Sequence, residues 1–230
     1  MLKANSRVSP FVVERLTKYY MYLRMISSST TGQWISSKEI AAALELTSST
    51  VRQDISYLSE YKGISKRGYH INDLVSTLEA VIGISTPCSA VIIGAGNFGR
   101  ALLLHQEFRK QGFVITSIFD ANPQLIGTKI DDYTIQCISE LSAVIQKQAI
   151  TVGIVAVPAE AAQDVADKLV TAGVTGILNL SVTMLHVPEY VALVNSRIII
   201  DLMKLSFQIT SIKNNGNNIL SADEGRSYGN

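Results

Sequence analysis

Ala90-Val91-Ile92-Ile93-Gly94-Ala95-Gly96-Asn97-Phe98-Gly99-Arg100 is the stretch whose reading decides the fold. A short unbroken apolar run, a G-x-G-x-x-G turn and a helix-like pattern follow one another, and Ile118-Phe119-Asp120 comes about twenty residues later. The first glycine permits a tight turn, the second lets backbone approach a pyrophosphate, and the third lets a helix pack closely on its strand. Free N–H groups and the positive end of the helix dipole then face the pyrophosphate. Gly94, Ala95, Gly96, Asn97, Phe98 and Gly99 are therefore candidate dinucleotide contacts; an ordinary Gly-rich strand-to-helix turn is the alternative. Asp120 ends the next strand, where a carboxylate accepts from a ribose 2′-OH and repels a 2′-phosphate, so NAD(H) is favoured over NADP(H).

Outward from this stretch, strands and helices alternate. Strands are expected at 89–93, 114–119, 133–137, 150–156, 176–180 and 198–201, and helices at 97–110, 139–148 and 159–172. Val152-Gly153-Ile154-Val155-Ala156 is apolar on both faces, which suits a parallel sheet covered by helices on either side. Val157-Pro158 and Asn179-Leu180-Ser181 fall at the C-terminal ends of such strands, where doubly wound sheets bind ligands, so Val157, Pro158 and Asn179 join the candidate cofactor site. The nucleotide fold consumes nearly all of this domain. No His/Asp or Lys/Asp arrangement remains with a domain to hold it, and His105, on the helix after the glycines, would have to be both catalyst and substrate anchor. A binding module is thus expected rather than an oxidoreductase.

Toward the N-terminus, Ser9-Pro10 opens a helix whose apolar positions Phe11, Val12, Leu16, Tyr19, Tyr20, Leu23 and Ile26 repeat at helical spacing. Ser36 with Glu39 makes a capping box for a second helix, and after the link Glu45-Leu46-Thr47 a third starts at Ser48 or Ser49. Two short helices joined by a tight turn form a helix-turn-helix. With Val51, Ile55 and Leu58 inward, the outward set is Ser48, Ser49, Thr50, Arg52, Gln53 and Ser56. Arg52 suits guanine O6/N7 and Gln53 suits adenine N6/N7, against the alternative of a merely solvated face. Lys66-Arg67-Gly68-Tyr69-His70 reads as the basic tip of a wing, flanked by Ile64 and Ile71, able to reach phosphates or an A·T-rich minor groove. Asn72-Asp73 caps a helix from Leu74 to Ile82 that Gly83 ends, and Ser85-Thr86-Pro87 is the natural linker.

Three segments result: a winged helix-turn-helix DNA-binding domain over 1–85, a Rossmann-like domain with a terminal dimerisation helix over 86–213, and a tail, 214–230, rich in Asn, Ser and Gly and expected to be disordered. Asp201 to Thr210 reads as an amphipathic helix with Leu202, Leu205 and Ile209 in one stripe and Phe207 off it. It either exchanges between subunits of a dimer or packs back on its own sheet. Residues 1–86 carry ten Lys/Arg and seven Asp/Glu while 87–230 carry ten and twelve, an asymmetry of +3 against −2 that is compatible with nucleic acid at the N-terminal end. No apolar run approaches a bilayer span and no signal peptide is evident, so a cytoplasmic protein without a membrane partner is expected. Cys88 and Cys137 read as buried thiols, and His70, His105 and His186 lack metal-ligand spacing.

These residues resemble the Rex family of bacterial redox-sensing transcriptional repressors, from about Ser9 to Ile209. The resemblance rests on Tyr22-Leu23-Arg24, Ile35 to Glu39, Val51-Arg52-Gln53-Asp54-Ile55-Ser56-Tyr57, Lys66-Arg67-Gly68-Tyr69, Gly94 to Leu102, Val157 to Gln163, Gly176-Ile177-Leu178-Asn179 and Leu205-Ser206-Phe207. It implies a homodimer with exchanged C-terminal helices that binds inverted-repeat operators when NADH is scarce and releases them when NADH binds, NAD+ being the opposing form. The wing reading adds Lys66, Arg67 and Tyr69 as candidate DNA contacts beside the recognition helix, and the resemblance implies switch or dimer roles for Arg24, His105, Asp201, Leu202, Leu205 and Phe207. The chain departs from the family at His105, where a tyrosine is usual, and at Gln53, where Arg or Lys is usual. The segment Tyr61 to Ser65 is longer, and Asn179-Leu180-Ser181-Val182 stands for Asn-Phe-Ala-Pro. The first and last of these border the nicotinamide; the other two bear on the operator sequence. A relative that answers another nucleotide, or none, is the alternative function.

Overall fold

Ser9 starts the first helix as expected, its carbonyl accepting the N–H groups of Val12 (2.8 Å) and Val13 (3.2 Å), and Pro10 takes the first helical position, where a missing N–H costs nothing. The structure is a computed structural model that describes residues 8–27, 34–58 and 61–224, with side chains described as far as Lys213. The chain divides into two compact units, Met1–Cys88 with Glu107–Val114, and Ser89–Gln106 with Ile115–Asn230. The linker at residues 85–87 therefore lies just inside the end of the first unit's leading segment.

In the first unit, α1 (Pro10–Ser27) is followed by β1 (Trp34–Ile35), α2 (Ser37–Ala43), α3 (Ser48–Ile55), β2 (Tyr69–His70) and α4 (Ile71–Ile82). The capping box forms: Glu39 N–H donates to Ser36 Oγ (3.2 Å) and Ser36 N–H to Glu39 Oε2 (2.8 Å), which holds the Glu39 carboxyl below its usual range. Thr47, read from sequence as part of the link, is the N-cap of α3. Leu16, Tyr19, Leu23, Ile40, Val51, Leu58, Leu74 and Leu78 meet in one buried cluster. The fourth helix begins earlier than an Asn72-Asp73 cap implied. Ile71 is already buried in that cluster, so the helix starts with its apolar face, and Asp73 sits in the first turn, where a negative charge meets the helix dipole. Gly83, at φ +84°, closes it.

The second unit is built on one sheet of β3 (Cys88–Ile93), β4 (Phe113–Asp120), β5 (Lys129–Ile130), β6 (Tyr133–Cys137), β7 (Val152–Val155), β8 (Gly176–Asn179) and β9 (Ala192–Asn195), in the order β5-β6-β4-β3-β7-β8-β9. Pairs β4–β6, β3–β7, β7–β8 and β8–β9 are parallel, and only the short edge strand β5, absent from the sequence reading, runs antiparallel to its neighbour among the pairings described. After β3 the chain builds outward through β4 and β6, then returns to lay β7 on the other side of β3. This α/β arrangement, a Rossmann-like parallel sheet, has its topological switch point between β3 and β7.

Three further elements differ from expectation. The helix foreseen over 97–110 is two, α5 (Asn97–Leu103) and the short α6 (Glu107–Lys110); His105 N–H donates to the carbonyl of Leu102 (3.1 Å), a tightened last turn, and Leu104 is exposed. The strand foreseen at 198–201 is the start of a helix, and the edge strand is Ala192–Asn195 instead. β propensity reports packing more than backbone preference, and it is Ala192–Asn195 that the turn at Pro188–Val191 delivers into register with Gly176–Asn179. Helix α7 (Leu141–Gln148), preceded by a 3-10 turn, and α8 (Ala159–Ala172) lie where expected. The last helix, α9 (Ile198–Glu224), continues well past Thr210 into the stretch that composition reads as disordered.

Candidate functional site

At the switch point the three glycines are separately explained. Gly94 has φ +107°, and a Cβ there would lie 2.3 Å from the carbonyl oxygen of Ala156, so the turn presses against the end of β7. A Cβ on Gly99 would lie 1.9 Å from the Gly94 carbonyl oxygen, so α5 sits directly on the turn. At Gly96 a Cβ would meet no atom within 4 Å: the backbone there faces open space, where a ligand can approach closely. Exposed Asn97 and Phe98 begin α5, whose first-turn N–H groups have no intrahelical acceptor. Val157, half-buried, and Pro158, the exposed N-cap of α8, form the opposite lip. These residues make a cradle that fits a dinucleotide pyrophosphate.

Asp120 has a second task that its position in the sequence did not disclose. Its Oδ2 accepts the Ala95 N–H (2.7 Å) and its Oδ1 the Asn122 N–H (2.8 Å), so the carboxylate ties the glycine turn to the end of β4. Two of its roughly four lone-pair sites remain, enough for a ribose hydroxyl. Ala95 is correspondingly removed from the contact set: it is fully buried, its N–H is spent on Asp120 and its carbonyl on Arg100 Nε (2.7 Å). Asn179 is removed for the same reason. Its Oδ1 accepts from Ser181 N–H (3.0 Å) and Oγ (2.7 Å), and its Nδ2 donates to Thr183 carbonyl (2.9 Å) and Asn195 Oδ1 (2.8 Å). A buried amide with every valence used shapes the loop after β8 and has nothing left for a ligand.

His105 is exposed and stands in the break between α5 and α6, not on a continuous helix. Both thiols, expected to be buried, are only half-buried. The Ser139 hydroxyl donates to Cys137 Sγ (3.1 Å) and holds that thiol below its usual range. Among the described residues no group of His, Cys, Asp and Glu is arranged to hold a metal ion, and no helix is long and apolar enough to cross a membrane.

In the first unit, α3 presents Ser49, Arg52, Gln53 and Ser56 to solvent, with Ser48 and Thr50 half-exposed, while Val51, Ile55 and Leu58 are buried. The inward face also carries a charge that periodicity did not reveal. Asp54, 1% exposed, accepts from Arg15 Nε (2.6 Å), Arg15 Nη2 (2.7 Å) and Tyr19 hydroxyl (2.6 Å). The carboxylate raises the Arg15 guanidinium above its usual range; burial first, then the carboxylate, raises Tyr19. The only signal in sequence was an acid at an inward helical position four before buried Leu58.

The wing tip is a closed turn: Ile64 N–H donates to Gly68 carbonyl (2.8 Å) and Gly68 N–H to Ile64 carbonyl (2.9 Å). Exposed Lys66 and Arg67 sit at its apex. Tyr69, expected to reach DNA, does not: it is 8% exposed, pairs in register with Ile35 and packs in the core, because the alternation of β2 points it inward.

Arg24 is exposed near the end of α1 and faces the Tyr20 hydroxyl, which bonds Glu79 Oε1 at 3.3 Å. On α9, Asp201 pairs with Lys204 (3.1 Å), and Ile198, Leu202, Leu205, Phe207 and Ile209 are all exposed. As far as Lys213, these apolar side chains are left uncovered and are not packed back on the sheet, one of the two readings from sequence.

Comparison with known proteins adds the following. Residues 85–183 match the family described as "CoA binding domain", and residues 7–56 the family described as "Putative DNA-binding protein N-terminus". The chain is 37% identical to the redox-sensing transcriptional repressor Rex of Clostridium botulinum over 89% of its own length and 97% of that protein. It is also 37% identical to that of Carboxydothermus hydrogenoformans, over 88% and 97%. Among solved structures it resembles RSP, a Rex-family repressor, in complex with β-NADH (TM-score 0.82, 32% identity, 93% and 99% covered). It likewise resembles RSP with β-NAD+ and operator DNA (TM-score 0.83, 31% identity, 97% and 100% covered). With a helix-turn-helix in one unit, a switch-point glycine cradle in the other and relatives matched over nearly their whole length, the chain belongs to the Rex family of redox-sensing transcriptional repressors.

Proposed function

We propose that this chain is a DNA-binding repressor that senses the NADH/NAD+ ratio, holding inverted-repeat operators when NADH is scarce and leaving them when NADH binds. The observation that carries this reading is the coexistence of an open glycine cradle, closed on one side by Asp120, with an exposed Arg52–Gln53 face on a helix of the same chain. Gly94, Gly96, Asn97, Phe98, Gly99, Asp120, Val157 and Pro158 hold the part that NADH and NAD+ share. The two forms differ only at the nicotinamide, neutral in one and cationic in the other, so an apolar pocket near the dimer interface would favour the neutral ring.

The exposed apolar side chains of α9 support assembly as a homodimer, since a lone chain leaves them in water. Exchange of α9 between subunits would cover Leu202, Leu205 and Phe207 and bring Asp201 of one protomer to Arg24 of the other. NADH then breaks that pair and misplaces both recognition helices. To move the dimer decisively, the reduced form must prefer the released state by several kcal/mol. On this reading the protein works in the cytoplasm as a regulator and turns over no substrate.

The test is a titration of a duplex selected from a random pool by the full-length protein. Two-half-site binding that NADH abolishes at concentrations where NAD+ has little effect is expected. Equal retention with either nucleotide would reject the sensing function, and a monomer in solution would reject the dimer.

A further inference from the structure

Trp34 belongs to none of the contacts foreseen from sequence, yet it stands under the wing. It pairs in register with His70 across the two-stranded sheet, and its ring meets the imidazole edge-on at a centroid distance of 5.5 Å and 61°. The Arg67 guanidinium carbon lies over the same indole, 4.2 Å from its centroid. We propose that Trp34 is a positioning residue for operator binding: its ring holds the Arg67 guanidinium ready for the nucleic acid.

The backbone beneath Arg67 is fixed independently of the ring. The turn is closed by the reciprocal Ile64–Gly68 hydrogen bonds. Gly68, at φ +91°, returns so close to the preceding strand that a Cβ would lie 2.3 Å from the Ile35 carbonyl oxygen. What remains free is the side chain. Arginine is long and rotamer-rich, and most of the cost of engaging it is the cost of ordering it. Lying over an indole restricts that freedom beforehand and spends no N–H donor on a competing acceptor, leaving the donors for phosphates or a narrow A·T-rich groove. Among the described residues no carboxylate is paired with Arg67, so the stack does not compete with an ion pair. Lys66, beside it at the apex, has no such partner ring among the described residues and acts as a point charge.

This rests on the reading of the first unit as an operator-binding module, and the experiment separates the two. Operator affinity is measured across salt for the full-length wild type, W34L, W34F, R67A and W34L/R67A. Removing Arg67 should weaken binding and reduce the salt slope by about one. W34L should weaken binding about two- to fivefold, W34F should recover most of the loss, and W34L should cost nothing further once Arg67 is gone. Trp34 is the chain's single tryptophan, so R67A should also change its emission in the absence of DNA. Wild-type affinity in W34L, or a W34L penalty that persists in the R67A background, overturns the positioning role and leaves operator binding intact. Failure of the wild type to bind any selected duplex overturns both.

Discussion

Asp54 and Arg15 form a bidentate pair, with Nε and Nη2 each within 2.7 Å of a carboxylate oxygen, and this bolts α3 to α1 from its buried side. The acid lies one residue after Gln53, so the network that anchors the helix and the face that would read DNA share a single turn and a half. Orientation of Arg52 and Gln53 therefore depends on an interaction neither of them makes.

Removing the acid leaves a guanidinium and a buried hydroxyl without their acceptor. D54A should destabilise the first unit by roughly 3–5 kcal/mol, the range for breaking one side of a buried pair. The loss should appear as a lower chemical-denaturation midpoint for that unit, with operator affinity falling in parallel.

The glycine cradle separates folding from binding. G99A places a methyl group against the Gly94 carbonyl and should cost about 1–3 kcal/mol through displacement of α5. At Gly96 an added Cβ meets no atom within 4 Å and φ is an ordinary −69°, so G96V should cost only about 1 kcal/mol, the loss of a favourable N-cap residue, while NADH binding is lost. Paired melting curves and calorimetric titrations check both; a loss in G96V well beyond about 1 kcal/mol would show that the open space at Gly96 is already used by the fold.

Asp120 serves the turn and the ligand together. D120A frees the Ala95 and Asn122 N–H groups and should lower NADH affinity by roughly ten- to a hundredfold, the equivalent of one charge-assisted hydrogen bond. Discrimination against NADPH should narrow as well, because the carboxylate that repels a 2′-phosphate is gone. Titrating the variant with each nucleotide measures both effects.

Alkaline pH should weaken the first unit. Burial raises the hydroxyls of Tyr19, Tyr20, Tyr61 and Tyr69 above the ordinary tyrosine value of 10.0, Tyr61 to about 12. A raised folded-state value means stability that is complete below the unfolded value and lost as pH rises through the folded one. The denaturation midpoint should hold up to about pH 10 and then fall toward pH 12, with Y61F making the fall shallower.

The sequence by itself determined the kind of fold and the location of the cradle. Glycines at 94, 96 and 99 act through backbone geometry, which side-chain identity alone reveals, and the Ser9-Pro10 start and the Ser36–Glu39 cap are equally local. Tertiary structure decided whatever depends on who stands opposite. It turned Tyr69 inward, filled every valence of Asn179, spent Ala95 on Asp120 and set Arg67 on Trp34, a partner 33 positions away in the chain. It also decided that Ala192–Asn195, and not the more β-rich Ile198–Ile200, completes the sheet, because a strand is defined by its hydrogen-bonded neighbour and a run of apolar residues carries no record of one.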